Sequence, residues 1–385
     1  MRPPCGSLFP LIILKKTRRF HLFVPANSSE TVKDLLKRHA ITHEVLLANP
    51  NELIEMQTRN DSTDPRSSST FYERYHSLED VCFKYQILAT QRLNRDNPDT
   101  VKVILIGSSF EKRPLYVLKL SVNNRPNKKA MWIDCGIHAR EWISPAFCLW
   151  FVQYSLSFYQ SNKDITHILD NMDVYILPVL NPDGYHYTWT TNRMWRKNRS
   201  TNMSTKCVGV DLNRNFDANW CTEGASDHPC SEIYCGAFPE SEPETQAVAD
   251  FLRSHKDIVQ IYFSIHSYSQ MLLFPYSCTL EEAENHSELL EMVKEAAQKI
   301  QRHYRNIYKY GSGANTIYLA PGGSDDWAYK LGIKYSFTFE LQDRGRYGFL
   351  LPPSDISKAC NEALLAVKTI ALKVDAKTQA PTTPA

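Results

Sequence analysis

Residues 131–145 read Met-Trp-Ile-Asp-Cys-Gly-Ile-His-Ala-Arg-Glu-Trp-Ile-Ser-Pro, a stretch that changes from apolar to polar and then to a helix start. The apolar run 131–135 predicts a buried strand, and Ser144 followed by Pro145 predicts the N-terminus of a helix. The turn between them contains His138 and Glu141 and therefore lies at the carboxyl end of a strand. In open α/β sheets, ligands bind at this edge.

Similar apolar runs and helical patterns recur along most of the chain. Strands are predicted at 101–106, 115–120, 131–135, 174–179, 259–265 and 335–341, and helices at 78–93, 145–158, 242–254, 287–303 and 354–372. Because strands alternate with helices, the fold class is α/β, with a mixed, mostly parallel central sheet and helices on both faces. A small α+β region precedes it, with predicted strands at 18–24 and 42–47 and helices at 29–39 and 51–56.

A polar stretch without periodicity, residues 59–70, separates the two regions and is either a plain linker or a protease-sensitive hinge. Arg66 followed by the small Ser67 suits cleavage by a trypsin-like protease. We therefore divide the chain into a small domain at 1–66, a large domain at 67–374 and a tail at 375–385. The end of this tail is rich in Thr, Pro and Ala, which predicts disorder.

The chain has 385 residues, with 44 Lys and Arg against 42 Asp and Glu. This balance excludes a polyanion-binding protein whose whole surface is basic, and no apolar run approaches the roughly 18 residues of a membrane span. Ten cysteines and five Asn-x-Ser sequons favour a secreted glycoprotein with disulfides. The sequons begin at Asn27, Asn60, Asn198, Asn202 and Asn285. A secretory signal is not recognisable, because the basic residues at 15–19 follow the apolar stretch 8–14.

Two further predicted strands end in candidate site residues. His266 follows the run 259–265, and Glu340 lies near the end of the run 335–341. Together with His138 and Glu141, His266 completes the His₂Glu ligand set of a catalytic zinc site, which leaves a fourth position for water. Glu340 is then a candidate general base for that water. Taken alone, His266 is better explained as a core histidine, whereas Glu340 in a Phe-rich strand is costly to bury without a nearby cation.

Two polar segments offer further candidate residues. Residues 192–199 read Asn-Arg-Met-Trp-Arg-Lys-Asn-Arg, which is either a solvated basic loop or a source of guanidinium groups that bind a carboxylate and polarise a carbonyl. Asp211, in the segment 210–216, is a candidate for orienting a ligand histidine. The chain contains no Gly-x-Ser-x-Gly elbow and no Gly-x-x-x-x-Gly-Lys-Ser/Thr phosphate loop, so both of those signatures are excluded.

Five sequence blocks follow one another in the order and with the spacing of a known family. They are residues 135–146, 192–199, 210–216, 263–269 and 335–341. Together they resemble the zinc metallocarboxypeptidases of the pancreatic A/B type, and the resemblance extends over about residues 71–374. Residues 1–66 resemble the inhibitory activation propeptide of the same family, shortened at its N-terminus. The blocks 106–112 and 319–323 and the Pro65-Arg66-Ser67 junction are most similar to the plasma branch of the B type.

The resemblance implies a role for each motif residue. It implies one Zn²⁺ per chain held by His138, Glu141 and His266, with Glu340 as the general base and Arg196 as the residue that stabilises the oxyanion. The residues that it implies for substrate binding are Arg140, Asn213, Arg214, Ser267, Tyr268, Tyr318 and Asp325. Asp325 would form the base of the S1′ pocket and select C-terminal Lys or Arg, because a buried anion selects a cation. Alternatively, Asp325 or Asp326 only caps the helix before Trp327.

The resemblance also implies a disulfide pattern, a function and partners. The implied disulfides are Cys135–Cys148, Cys207–Cys230 and Cys221–Cys235. We expect the remaining Cys5, Cys82, Cys278 and Cys360 to be unpaired, with a fourth bridge among them as the alternative. Gln342 departs from the family pattern, which usually has Arg there. The implied function is a secreted zymogen, cleaved after Arg66 by a trypsin-like protease, that releases C-terminal Lys or Arg from peptides and proteins and so trims fibrin. Nucleic acid and membranes are not expected partners.

Two other functions remain open at this point. One is a carboxypeptidase with a non-basic preference, against which Asp325 argues. The other is a non-catalytic homologue that binds C-terminal peptides, against which the filled catalytic positions argue.

Overall fold

The computed structural model describes residues 22, 24, 26–47, 49–59, 71–89, 101–122, 125, 128–202 and 205–379. These residues form the strands β1 (Val101–Ser108), β2 (Pro114–Leu120), β3 (Lys129–Cys135), β4 (Met172–Leu177), β5 (Val259–Ser267), β6 (Met271–Phe274), β7 (Lys309–Ser312) and β8 (Tyr335–Leu341). Their helices are α1 (Ser29–Arg38), α2 (Pro50–Thr58), α3 (Leu78–Ala89), α4 (Ile143–Phe158), α5 (Lys163–Asn171), α6 (Pro182–Thr190), α7 (Pro243–His255), α8 (His286–Tyr304), α9 (Gly313–Thr316), α10 (Ser324–Leu331) and α11 (Ile356–Gln379).

The strands form one sheet in the order β1-β2-β4-β3-β5-β8-β6-β7. The central strands β4, β3, β5 and β8 run parallel to one another. Antiparallel pairs flank this centre, β1 with β2 and β2 with β4 on one side and β8 with β6 on the other, while β6 and β7 are parallel. The predicted mixed, mostly parallel sheet is therefore confirmed.

Helices cover both faces of this sheet, and strand β3 shows how. Side chains alternate between the two faces of a strand, so β3 contributes to two separate cores. Met131 and Ile133 pack into one core with α4, α5, α8 and α11, whereas Ala130 and Trp132 pack into the other with α7 and α10. Because both faces are covered, the central strands β3, β4 and β5 are buried along most of their length, and polar side chains such as His266 and Glu340 lie near the carboxyl ends of β5 and β8.

Some elements differ from the sequence predictions. The sequence does not predict the strands β6 and β7 or the helices α5 and α6. The two strands have only four residues each, too few to show a periodic pattern. The predicted strand at 42–47 is wrong: these residues are irregular, mostly exposed and pair with no strand of the described chain. Of the other predicted strand in this region, 18–24, only residues 22 and 24 are described.

The last helix, α11, continues to Gln379, so residues 375–379 of the predicted tail are helical rather than disordered. Asp375 is buried there, and its carboxylate accepts a hydrogen bond from His167 Nε2 at 2.8 Å, which ties the end of α11 to α5. This long-range pair is not visible in the local composition. Residues 380–385, Cys5 and the Arg66–Ser67 junction lie outside the described residues.

Three disulfides join Cys135 to Cys148, Cys207 to Cys230 and Cys221 to Cys235, which is the predicted pairing. The first of them links the end of β3 to α4 across the turn that contains His138. Cys82, Cys278 and Cys360 are free, as expected. Within the described ranges, no helix has both the length and the apolar character needed to cross a membrane.

Gln342, the departure from the family pattern, follows β8 directly and contacts a buried carboxylate. Its Nε2 donates to Glu362 at 2.6 Å, and Asn306 Nδ2 and Tyr308 OH donate to the same carboxylate at 2.7 and 3.0 Å. Glu362 is fully buried, and burial raises its pKa despite these three donors. Hydrogen bonds from three uncharged side chains to Glu362 therefore connect α11 to the end of β8 and to the segment after α8.

We expect Gln342→Leu to lower the unfolding free energy by about 1–3 kcal/mol, because a buried carboxylate loses a donor. The loss should be larger at pH 8 than at pH 5. Because the folded-state pKa of Glu362 is raised, its contribution to stability is fully present below its unfolded pKa of about 4.3 and is lost as pH rises through the folded pKa. In that range the carboxylate becomes charged, so losing the hydrogen bond from Gln342 costs more.

Urea unfolding at the two pH values measures this effect. Gln298→Leu, the same change at an exposed position, is the control. An equal loss at both pH values would show that Glu362 keeps one protonation state between them.

Candidate active site

The turn between β3 and α4 carries two of the three predicted metal ligands. Gly136 begins it with a φ of 66°, a left-handed conformation that favours glycine. Ser144 Oγ accepts a hydrogen bond from Gly136 N at 2.9 Å and donates one to Ile265 O. Ser144 therefore joins this turn to β5, near whose end the third ligand, His266, lies.

His138, Glu141 and His266 come together in one buried cluster, which we call the metal cluster. His138 Nδ1 lies 2.9 Å from Glu141 Oε1 and 3.1 Å from His266 Nδ1. His266 Nδ1 lies 3.1 Å from Glu141 Oε2. Ligand atoms from three different residues, all within 4.8 Å of one another, form a group that can share one metal ion.

Hydrogen bonds on the far side of each imidazole direct its Nδ1 into the cluster. His138 Nε2 donates to Asp211 Oδ1 at 3.1 Å, because a carboxylate only accepts. His266 Nε2 donates to Ser264 Oγ at 3.1 Å, and Ser264 Oγ donates to Asp134 Oδ1 at 2.7 Å. Both Nδ1 atoms then present lone pairs to the same point, which is the tautomer that a metal ion requires.

The sequence predicts the orienting role of Asp211 but not the roles of Ser264 and Asp134. Both are fully buried polar residues in apolar strands, and they are neighbours in the ladder between β3 and β5. Ser264 precedes His266 by two residues, so both side chains lie on one face of β5. This period-two pairing of a buried hydroxyl with a histidine is the sequence signal that could have revealed them.

Asp211 connects the metal cluster to Arg196. Its Oδ2 accepts hydrogen bonds from Arg196 Nε and Nη2 at 3.1 and 2.8 Å, while Oδ1 accepts from His138. Burial alone would raise the pKa of Asp211, but the Arg196 guanidinium and His138 hold it well below its usual range. Asp211 is therefore charged, and it holds Arg196 Nη1 4.0 Å from Glu141 Oε1, beside the cluster.

Glu340 lies next to His266, its partner in the ladder between β5 and β8. Its Oε2 is buried and has no hydrogen-bond partner among the described residues. Burial raises the pKa of Glu340 to about 8; Glu141 acts in the same direction, and His266 and Arg196 oppose it. A cation in the neighbouring cluster would lower this pKa and balance the two carboxylates.

Arg214 and Asn213 lie in a 3-10 turn, Leu212–Arg214, that follows Asp211. Arg214 is buried, and its Nε and Nη1 donate to Gly224 O and Asn213 O at 3.1 and 2.8 Å. The ring of Tyr318, which is 44% exposed, lies 6.0 Å from the Arg214 guanidinium carbon. The backbone carbonyls fix the plane of this guanidinium, and the partly exposed Tyr318 ring lies near it.

The loop that begins α10 packs against this turn through glycine. A Cβ at Gly322 would lie 2.2 Å from Arg214 O, and Gly322 has a φ of 73°, so another residue would not fit without moving the loop. Asn213 Oδ1 accepts a hydrogen bond from Ser324 N at 3.0 Å, which fixes the start of α10 against the same turn.

The adjacent carboxylates of α10 have different surroundings. Asp326 Oδ2 accepts hydrogen bonds from Ser277 N and Cys278 N at 2.9 and 2.6 Å, so it anchors the segment after β6. Asp325 is also buried, where the Thr338 hydroxyl and the first-turn amides of α10 stabilise its charged form. Burial nevertheless raises the pKa of Asp325 above its usual value, in spite of these donors.

Arg140, Ser267 and Tyr268 extend from the metal cluster on another side. Ser267 N donates to Glu141 Oε2 at 3.2 Å, so Ser267 and Tyr268 begin directly beside the cluster. The Arg140 guanidinium and the Tyr268 ring lie 4.5 and 4.9 Å from the ring of Phe349. Phe349, which the sequence motifs do not indicate, thus packs against two residues predicted to bind substrate.

Comparison with known proteins shows that the chain belongs to the zinc carboxypeptidase family. The zinc carboxypeptidase family model matches residues 88–366, and the carboxypeptidase activation peptide model matches residues 10–57. The protein is therefore a zinc-dependent metallocarboxypeptidase with an activation peptide. Two imidazoles and one carboxylate are a common ligand set of catalytic zinc, so the metal cluster fits the ion that the family binds.

Within this family, the chain is similar to carboxypeptidase B2. Carboxypeptidase B2 of Bos taurus is 54% identical over 356 residues, which cover 92% of this chain and 83% of the relative. Carboxypeptidase B of Rattus norvegicus is 50% identical over 352 residues, which cover 91% and 82%. The crystal structure of thrombin activatable fibrinolysis inhibitor matches with a TM-score of 0.87 and 54% identity, covering 92% of this chain and 88% of that one.

We expect Asp211→Asn to weaken zinc binding by about 10- to 100-fold, because His138 loses the charged acceptor that orients it. Competition with a metal chelator measures the affinity directly. Asp217→Asn makes the same change at an exposed position and should leave the affinity unchanged. Equal zinc affinity in the two variants would contradict an orienting role for Asp211.

Proposed function

We propose that this protein is a secreted zymogen that, once cleaved after Arg66, releases C-terminal Lys or Arg from peptides and proteins. The observation that supports this most is Asp325, a buried carboxylate in the first turn of α10 whose donors are a hydroxyl and backbone amides, in a zinc carboxypeptidase. A basic side chain of the substrate would complete its pairing.

The residues around the metal cluster support a hydrolytic mechanism. Zinc, when bound, acts as a Lewis acid on the scissile carbonyl and on water. Glu340 takes a proton from the attacking water, for which its unpartnered Oε2 is available, and delivers it to the leaving amine. Arg196 donates hydrogen bonds to the oxyanion that develops on the carbonyl. Asp211 bonds both Arg196 and His138, so it keeps the oxyanion donor in a fixed relation to the metal ligands.

Arg214, Asn213 and Tyr318 support removal of the last residue only. A guanidinium binds a carboxylate through two parallel hydrogen bonds, and only the final residue carries a carboxylate next to its peptide bond. Backbone carbonyls already hold Arg214 Nε and Nη1, so the guanidinium plane is set before a substrate arrives. Arg140, Ser267 and Tyr268 would contact residues further from the terminus.

The comparison with thrombin activatable fibrinolysis inhibitor supports a more specific role. That name describes an inhibitor of fibrinolysis that thrombin activates. We infer the same role for this chain, with fibrin as a substrate that loses C-terminal Lys and Arg and with a trypsin-like protease as the activator. The activation peptide supports the zymogen part of this role.

Disulfides and sequons support secretion. Three disulfides are typical of an oxidising compartment. The sequon at Asn27 is exposed and can carry a glycan. The sequon at Asn198 cannot do so in the folded chain, because Asn198 is fully buried and its Nδ2 donates to Glu242 and Glu244 at 2.7 and 3.2 Å.

We expect Glu340→Gln to retain zinc but to lower kcat by about 10²- to 10⁴-fold, because the amide cannot accept the proton of water. Elemental analysis gives the zinc content, and the rate of Arg release after trypsin treatment gives kcat. Glu281→Gln, an exposed control, should behave as the wild type. Wild-type turnover in Glu340→Gln would remove Glu340 from the mechanism.

We expect Asp325→Asn to lower kcat/KM for a peptide ending in Arg by about 100-fold, because the substrate cation loses its buried partner. Asp325→Ile should instead shift the preference to apolar ends. Paired assays on peptides ending in Arg, Phe and Glu measure both effects. Unchanged preference for Arg would contradict the S1′ assignment, and bound zinc without release of any residue would favour the non-catalytic homologue.

A further inference from the structure

The contact between the activation peptide and the catalytic domain contains an unusual buried residue. Gln57, in α2, is 3% exposed and is the only buried residue among the described residues 27–47 and 49–59. Its apolar neighbours Leu53 and Ile54 are only half-buried. A polar side chain, rather than an apolar one, is therefore the most deeply inserted part of this region.

The carboxamide of Gln57 is hydrogen-bonded on both sides. Its Oε1 accepts a hydrogen bond from Arg193 Nε at 3.0 Å. Its Nε2 donates to Leu351 O at 2.9 Å and faces Phe349 O at 3.5 Å. We call these three atoms of the catalytic domain, Arg193 Nε, Phe349 O and Leu351 O, the amide socket.

Arg193 is the charged side of the amide socket and is itself almost completely buried. Its other hydrogen bonds go to Arg140 O at 2.8 Å and Phe349 O at 2.6 Å, and its guanidinium lies 3.7 Å from the ring centroid of Trp142. These partners are carbonyls and a ring face, and burial lowers the pKa of Arg193 to about 9. The socket is thus held in place by the catalytic domain, with the Nε hydrogen directed at the activation peptide.

The chemistry of the amide socket selects a carboxamide. One side of it donates a hydrogen bond and the other side accepts, and among side chains only Asn and Gln carry both a carbonyl oxygen and an NH₂ group on one planar carbon. A carboxylate would oppose two carbonyl oxygens, and an ammonium or guanidinium would oppose Arg193. An apolar side chain would leave Arg193 Nε buried without a partner, which is costly, while Phe349 O and Leu351 O would keep only their hydrogen bonds from Arg193 Nη2 and Tyr75 OH.

The amide socket is also connected to the wall of the candidate active site. Arg193 bonds the carbonyl of Arg140, which directly precedes Glu141 of the metal cluster. Phe349 contributes its carbonyl to the socket, while its ring packs against Arg140 and Tyr268. A side chain bound in the socket therefore contacts the same backbone segments that position Arg140 and Tyr268, two residues predicted to bind substrate.

We propose that the amide socket is a glutamine-binding site that retains the activation peptide on the catalytic domain after the bond following Arg66 is cleaved. This proposal rests on the proposed function only for the position of that cleavage. Retention of the nicked peptide depends on the hydrogen bonds of Gln57, and its release opens the socket and frees the adjacent wall.

Full-length protein, cleaved by trypsin and checked by mass for the new N-terminus at Ser67, provides the test. Native mass spectrometry after dilution measures the fraction that still carries its activation peptide, in the wild type and in Gln57→Leu, Gln57→Ala and Met56→Ala. Met56 is an exposed neighbour on the same helix and serves as the control. Arg66→Gln, which trypsin should leave uncut at this junction, shows the signal of an intact chain.

We expect Gln57→Leu to shorten retention by about tenfold or more and Gln57→Ala by less, because water can enter the smaller side chain's space and bond the socket atoms. Met56→Ala should match the wild type. Leu fills the volume of Gln, so wild-type retention in Gln57→Leu would show that packing alone holds the peptide and would overturn the proposal. Wild-type retention in Gln57→Ala would do the same.

Release of Arg from a test peptide is recorded in the same samples and separates the two proposals. Loss of retention in Gln57→Leu without Arg release by any variant would support the socket and contradict the proposed function. Arg release that begins equally fast in every variant, with equal retention, would support the function and contradict the socket.

Discussion

Three buried groups, two imidazoles and a carboxylate, face one another beside the ends of β3 and β5, and this arrangement is suited to a bound cation. The Nδ1 atoms of His138 and His266 and the carboxylate of Glu141 lie about as close as hydrogen-bond partners, yet the bonds behind each imidazole direct lone pairs into the shared space. Without positive charge, such a group is costly to bury. The neighbouring residues serve the same arrangement. Asp211 and Ser264 orient the two histidine ligands, and Glu340 places a second carboxyl group beside the metal cluster.

His138, Glu141, His266 and Glu340 could be predicted as ligands and base from the sequence because they stand where buried strands end. The roles of the other site residues, such as Arg196, Arg214 and Asp325, were implied only by the family resemblance. The position of His266 and Glu340 follows from apolar runs that end in polar residues, and the parallel order then brings those ends together. The amide socket could not be predicted in this way, because Gln57 meets carbonyls almost 300 residues away and no local pattern marks it. Strand β7 was missed for a related reason: four residues at a sheet edge show no period, and their pairing depends on β6.

Carboxylates of this chain have similar chemistry but differ in their neighbours, and these differences suggest different tasks. Asp211 is bonded to a guanidinium and an imidazole and remains charged. Asp326 receives two backbone amides and fixes a loop. Within the described part of the chain, Glu340 Oε2 has no hydrogen-bond partner, and the donors around Asp325 are the Thr338 hydroxyl and backbone amides. The first two are suited to structure, whereas the last two leave charge or a lone pair available to a substrate.

The burial of Asn198 has a consequence for the biosynthesis of this chain. If the chain is secreted, as we propose, an oligosaccharide can be transferred to Asn198 only while this segment is still unfolded and its amide is accessible. In the folded protein, the Asn198 amide is bonded between Glu242 and Glu244, and its oxygen accepts from Val210 N. An oligosaccharide attached there would keep the basic loop away from α7. An oligosaccharide at Asn198 and the native hydrogen bonds of its amide therefore exclude each other.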